Sequence, residues 1–394
     1  MNLTQGNIKI ESIKNIILSI GFLIILIFPT VQKYFPVIPE TESTENRKLA
    51  DMPTIKLDYL DPFPSEFEKY YNDRFSLRNQ LVSLKSLIIA NTLHKTPMPD
   101  KVIFGKDNWL FLVSDELDTY RGKNLFKQRK IDKIVNELVR RQKYLKEKNI
   151  SLYFVIAPTK YTIYPEYLPN YVDKINRITR TDQVKQALIE NGIDVVDLRD
   201  TLINAKEKGL LYYKTDNHWN KLGSFIAYRS IIDKIKKDYP EIPALSLKDF
   251  TIKQKIKSGG NTARLINMGK KFEDIEYILE QKKPSQAKKV TGIGYPIPQN
   301  FKYKWEYEMD YETANDSLPS LLFIRDSFGT SLIPYISQSF NRSVFIFDNW
   351  NYTSNEYIIE NEQPDIVVYL VLESFWNGFL AGVDKSEVNL QRLK

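Results

Sequence analysis

Leu321-Leu322-Phe323-Ile324-Arg325-Asp326-Ser327-Phe328-Gly329 decides the fold. An apolar run stops abruptly at Asp-Ser and a helix-compatible segment follows. That is the pattern of a buried strand turning into a helix, the place where parallel sheets display reactive hydroxyls. Read without chemistry, the same Asp-Ser simply caps the next helix. A second stretch weighs against that plain reading: Lys214-Thr215-Asp216-Asn217-His218-Trp219-Asn220 holds one of only two histidines in 394 residues, with a carboxylate two positions before it. Histidine titrates near neutrality, and an Asp that orients its ring and stabilises the imidazolium makes two members of a nucleophile-activating triad. Ser327 supplies the third. Asp216 could instead be an N-cap followed by a surface histidine, but the two stretches together favour the catalytic reading. The other histidine, His94, ends a helical pattern with no carboxylate close to it in sequence and reads as structural.

Composition narrows the chemistry. With 42% hydrophobic and 13% aromatic residues the chain can bury a sizeable core, and its length suits one large domain with insertions or two domains. The net charge of +7 comes from 56 basic and 49 acidic residues spread without basic blocks. Such an excess suits an anionic envelope surface or polymer, and no nucleic-acid motif accompanies it. Cysteine is absent, which excludes disulfides, thiolate chemistry and Cys-based zinc sites. No metal or cofactor is expected, and covalent chemistry falls to serine.

Outward from the two stretches, an α/β pattern emerges. Residues 151–158 form a nearly continuous apolar run, as in a strand covered on both faces, and Pro158 ends it. Residues 182–191 read as a helix, Gly192 as its C′ residue and 193–198 as the next strand. A helix follows the Asp-His loop over 221–237, and another precedes the first strand over 131–149, with Ile131, Ile134, Val135, Leu138 and Leu145 on one stripe. After Ser327 a helix is expected to about Phe340, then strands over 344–347 and 366–371. Residues 102–111 read as a hairpin turning at Lys106-Asp107-Asn108. Short mixed segments over 238–319 read as an insertion, and Gly259-Gly260-Asn261 inside it as a turn rather than a phosphate cradle, because no Lys-Ser/Thr context follows.

Towards the N-terminus, residues 16–28 are almost wholly apolar, and counting from Ile13 to Val31 just passes the roughly 17-residue lower limit of a membrane-spanning helix. Lys9 and Lys14 before it place the rest of the chain outside the cytoplasm by the positive-inside rule, and no signal-peptide cleavage pattern follows. An uncleaved anchor over 1–34 is therefore expected, then a Pro/Glu/Thr-rich linker over 35–64 and a catalytic domain over 65–394 with the insertion at about 238–319. Residues 63–93 have helical periodicity with a break at Asn72-Asp73-Arg74-Phe75.

These stretches resemble the SGNH-hydrolase-like O-acetyltransferases of bacterial exopolysaccharides, of which the alginate O-acetyltransferases are the type. Asn46-Arg47-Lys48-Leu49-Ala50, Tyr71-Asn72-Asp73-Arg74-Phe75, Gly105-Lys106-Asp107-Asn108-Trp109-Leu110-Phe111, Ala157-Pro158-Thr159-Lys160, Asp216-x-His218-Trp219, Asp326-Ser327-Phe328 and Pro364-Asp365-Ile366-Val367-Val368 follow the family's order. The resemblance implies an SGNH-like three-layer α/β/α fold with a parallel sheet, in which the acid-base pair precedes the serine, a circularly permuted order. It implies a catalytic Asp216, His218 and Ser327, with Trp219, Arg325 and Phe328 beside the substrate. Two departures stand out: Arg325 occupies a place where glycine is common, and the carbohydrate-binding module that some members carry at the C-terminus is not seen before Lys394. The implied activity is transfer of acetyl through an acyl-serine to a polysaccharide outside the cytoplasm, fed by a membrane-bound O-acyltransferase. An acetylesterase with the same triad, or a non-catalytic envelope scaffold, are the alternatives.

Overall fold

The computed structural model describes residues 3–39, 49–55, 61–92, 96–298, 301, 303–348 and 355–383, so His94 lies outside the described residues. The chain divides into two compact units, Met1–Met98 with Ala263–Gly269, and Pro99–Thr262 with Lys270–Lys394. In the first, one helix runs Leu3–Tyr34. Its apolar stretch Ile13–Tyr34 has 22 residues and a mean hydropathy of 2.1. At 1.5 Å per residue that is roughly 33 Å, the thickness of a bilayer's hydrocarbon core. Its apolar side chains are exposed, Ile25 at 72%, which distinguishes it from the core helix of a soluble domain. Two further helices, Pro62–Arg74 and Arg78–Thr92, part close to the expected break, where Leu77 takes a left-handed φ of 67°.

The second unit begins with a hairpin of β1 (Val102–Phe104) and β2 (Leu110–Leu112), turning at Lys106–Asn108 as expected. The strands β3 (Ser151–Ala157) and β4 (Val195–Asp197) follow. A second antiparallel hairpin pairs β5 (Phe250–Ser258) with β6 (Glu273–Gln281). Then come β7 (Lys288–Val290), β8 (Glu308–Glu312), β9 (Leu321–Arg325), β10 (Arg342–Phe347) and β11 (Ile366–Leu372). The main sheet has the order β4-β3-β11-β9-β10-β8-β7. The first five strands are parallel to one another, whereas β8 pairs antiparallel with β10, and the edge strand β7 antiparallel with β8.

Alternation explains why the parallel strands read as unbroken apolar runs. Along β11, Ile366, Val368, Leu370 and Leu372 enter one core and Val367, Tyr369 and Val371 the other; β9 divides Leu321 and Phe323 from Leu322 and Ile324 in the same way. Helix Lys221–Ile235 covers the first face, and helices Gln128–Glu147 and Arg180–Glu190 cover the second. The result is the expected α/β/α layering. Gly192 stands at φ 72° just past Arg180–Glu190, the left-handed position that favours glycine.

Two expectations change. The sheet is mixed rather than wholly parallel, because part of 238–319 returns to extend it as β7 and β8. The helix after Ser327 is not continuous: a 3₁₀ segment Ser327–Leu332 gives way to a short α-helical turn Ile333–Ile336 and a second 3₁₀ segment Ser337–Ser339. Pro334 causes this, since an α-helix through it would drive its ring into the Thr330 carbonyl and leave that carbonyl without a donor.

Candidate active site

Ser327 follows the carboxyl end of β9 with only Asp326 between them. Its neighbour Asp326 is fully buried and holds the turn: one carboxylate oxygen accepts from the Phe328 N–H at 2.8 Å and the other from Leu372 N–H at 3.0 Å, at the end of β11. Asp326 is therefore the cap of the following segment, and the same cap presents the Ser327 hydroxyl.

The Asp-His loop is closed by a bridge between Tyr212 and Trp219. Asn220, not Asp216, caps the helix Lys221–Ile235, accepting from the N–H groups of Leu222 and Gly223 at 2.9 and 3.0 Å. Asp216 is thereby left to the histidine. Its Oδ1 lies 2.7 Å from His218 Nδ1 and accepts the His218 backbone N–H at 3.1 Å, while Oδ2 accepts the Asn261 N–H at 2.9 Å. On the far side of the ring, His218 Nε2 is 2.9 Å from Ser327 Oγ. The geometry thus brings the three predicted residues into one line, Asp216 to His218 to Ser327. The His218 side chain is 24% exposed, so the line opens to solvent at the ring.

Electrostatics fit a base with a fixed orientation. Burial works against a charged His218, but the hydrogen bond and charge of Asp216, with Glu116 and Asp326 behind, raise its pKa above the ordinary value. Burial likewise opposes the Asp216 carboxylate. The hydrogen bond and charge of His218, and the backbone N–H groups of Asn261 and His218, outweigh it and hold that carboxyl well below its usual range.

Trp219, Arg325 and Phe328, expected beside the substrate, are 2%, 0% and 1% exposed. Trp219 Nε1 donates to the Phe328 carbonyl at 3.1 Å and to Ser331 Oγ at 2.8 Å. The Phe328 ring sits 4.8 Å from that of His218 and edge-on to Trp219 at 5.1 Å. Arg325 donates to the Asp326 carbonyl at 3.2 Å, to Thr330 Oγ1 at 2.9 Å and to the Glu306 carbonyl at 2.9 Å. The Trp219 indole N–H and the two terminal nitrogens of Arg325 are engaged inside the protein, so these buried side chains brace the turn and the loop from beneath.

Sequence reasoning left several supports without a role. Lys160 is 1% exposed and donates to the carbonyls of Tyr213, Lys214 and Asp216 at 3.2, 3.0 and 2.7 Å, with its ammonium 5.6 and 5.2 Å from the ring centres of Trp109 and Phe111. Burial pushes its pKa down to about 8 against the pull of Asp216, Asp274 and Glu116. Asp274 accepts the backbone N–H groups of Lys214 and Thr215 at 2.6 and 3.1 Å and bonds the Thr215 hydroxyl, which in turn accepts the Gly260 N–H at 2.7 Å. A Cβ on Gly260 would stand 2.7 Å from Asp216 Oδ2, so only glycine lets this backbone come so close. Gly259 and Gly260, expected as a turn, are instead the irregular link between β5 and a helix that opens at Asn261, and this link grips the Asp216 carboxylate. Glu116, 3% exposed, has its carboxyl pushed up to about 7 by burial, against the charges of Lys160 and His218. The Lys160 motif was visible in the sequence; isolated acids such as Asp274 and Glu116 carry no pattern that separates them from surface charges.

Residues 102–292 match a family described as the SGNH hydrolase-like domain of acetyltransferase AlgX. That stretch contains Asp216 and His218, while Ser327 lies beyond it. The protein named "Probable alginate O-acetylase AlgJ" from Pseudomonas aeruginosa is 25% identical over 162 residues, which cover 40% of this chain and 38% of that protein. Its namesake from Pseudomonas syringae pv. tomato is 26% identical over 165 residues, 42% and 40% of the two chains. The aligned part is thus about two fifths of the length of these relatives. The structure of Bacillus cereus PatB1 superposes with a TM-score of 0.53 at 17% identity, covering 71% of this chain and 98% of that one, a likeness of fold. Over residues 102–292, then, the chain is similar to the SGNH hydrolase-like acetyltransferase domain that AlgX represents.

Proposed function

We propose that this protein is an O-acetyltransferase that moves acetyl groups through Ser327 to hydroxyls of a cell-surface or secreted polysaccharide. The observation that carries the reading is the 2.9 Å approach of His218 Nε2 to Ser327 Oγ, with Asp216 at 2.7 Å on the other ring nitrogen. In this mechanism His218 takes the Ser327 proton as the oxygen attacks the acyl carbon of a donor ester. The proton passes to the departing alcohol and an acyl-serine remains. A sugar hydroxyl then gives its proton to His218 and attacks the same carbonyl, and Ser327 recovers its hydrogen as the acetylated sugar leaves. The backbone N–H of Ser327 is the donor assigned to the developing oxyanion.

The naming of the relatives as alginate O-acetylases supports acetyl transfer to a polysaccharide. The apolar helix Ile13–Tyr34, with Lys9 and Lys14 before it, supports an anchor that holds the catalytic unit on the extracytoplasmic face. There a membrane-bound O-acyltransferase would supply the acetyl group. The test is product analysis of the detergent-solubilised full chain, given an activated acetyl ester with and without oligosaccharides. Acetylated sugar is the expected product. Acetate alone would instead make it an acetylesterase, and no turnover of any ester would leave a non-catalytic scaffold.

A further inference from the structure

Trp305 is 71% exposed, although an indole of that size is ordinarily tucked into a core or an interface. It is not loosely held. Its ring meets Tyr303 edge-on at 5.9 Å, Tyr303 lies parallel to Phe347 at 6.4 Å with 2° between the planes, and the Arg325 guanidinium sits 4.7 Å over Phe347. Arg325 closes the ladder by donating to the Glu306 carbonyl at 2.9 Å, and Thr330 Oγ1 reaches the Glu306 carboxylate at 3.4 Å. The exposed ring is therefore coupled through packed groups to residues two before and three after Ser327.

Topology puts the ladder at the catalytic end of the sheet. β8 is antiparallel to β10, and Glu308 at its start pairs with Ile346 near the end of β10, which itself runs parallel to β9. The segment Lys304–Glu306 that leads into β8 thus emerges at the carboxyl end where Ser327 sits. With two strand spacings between them, it stands roughly 10 Å to one side of the nucleophile. A pyranose ring presents an apolar face of C–H bonds that lies flat on an indole, and an aromatic already rigid when free loses little entropy on binding.

We propose that Trp305 is a stacking platform for the acceptor glycan, engaging a sugar removed along the chain from the one whose hydroxyl reaches Ser327. The proposal rests on the acetyl-transfer reading for its choice of ligand. Its consequence is a preference for oligosaccharides over single sugars, set by a residue that touches neither the acyl group nor the triad.

Saturation-transfer NMR on the full chain in detergent micelles tests it, with hexamers of β-1,4-linked mannuronate, glucose and N-acetylglucosamine as probes. At least one hexamer should bind the wild type, Trp305→Ala should weaken that binding fivefold or more, and Trp305→Phe should retain most of it. Acylation of Ser327 by p-nitrophenyl acetate should stay within twofold of wild type in both variants, which also reports that they fold. Equal hexamer affinity in Trp305→Ala, or no binding of any hexamer by the wild type, would overturn the platform. Should the wild type bind a hexamer through Trp305 yet transfer no acetyl to it, the platform stands and the transferase reading fails.

Discussion

In the proposed mechanism His218 must be neutral to accept the Ser327 proton, and its surroundings raise its pKa above the ordinary 6.5. The sign follows directly: as pH falls through that raised value the ring protonates and activity is lost, so the acid limb of kcat/KM should lie above pH 6.5. Asp216→Asn removes the anion that raises the pKa. It should move the limb down and lower kcat by roughly 10³–10⁴-fold, the scale expected when a triad loses its orienting carboxylate. A pH profile of acyl transfer in the two proteins checks both, and an unmoved limb would show that another group titrates. Ser327→Ala should abolish transfer while leaving thermal stability almost unchanged, because a half-buried hydroxyl at a strand end contributes at most about 1 kcal/mol. His218→Ala combined with Ser327→Ala should lose no more than either alone, since residues that act as one unit are not additive.

The elements that carry these residues were legible to different degrees. Strands buried on both faces, β3, β9 and β11, announce themselves as apolar runs, and the helix expected over 221–237 is found at Lys221–Ile235. β7 and β8 were not legible: Lys288–Val290 and Glu308–Glu312 are rich in charged residues, and the pairing of β8 with β10 and of β7 with β8 is fixed only by tertiary contacts. The glycines at Gly259-Gly260 could be read as an interruption of regular structure, yet nothing local says that they meet Asp216, 44 positions earlier than Gly260. Their role predicts a specific failure. Gly260→Ala would push a methyl against the Asp216 carboxylate; we expect about 1–3 kcal/mol of lost stability and a roughly 100-fold loss of kcat, read by thermal melts and single-turnover acylation. Lys160→Met, which keeps the length of the side chain but removes the donors for three loop carbonyls, should likewise reduce kcat by roughly 100-fold with little change in donor KM. Unchanged acylation in both would mean that the loop holds Asp216 and His218 in place without these supports.

At the scale of the whole molecule, the proposed anchor would set where the chemistry occurs. Full-length protein should pellet with membranes, and deletion through Tyr34 should release a soluble catalytic unit; mature protein beginning well beyond Phe28 would instead mark a cleaved leader. The order β4-β3-β11-β9-β10-β8-β7 has another outcome, one in time rather than space. β11 is the last of these strands to be synthesised, yet it lies between β3 and β9 and bonds to both. Until Ile366–Leu372 emerges, β3 and β9 present unpaired edges and Asp326 lacks the Leu372 N–H that steadies the nucleophile turn. Nascent chains stalled before Pro364 should therefore be protease-sensitive and prone to associate through those edges, and the proposed nucleophile would be the part of the protein that matures last.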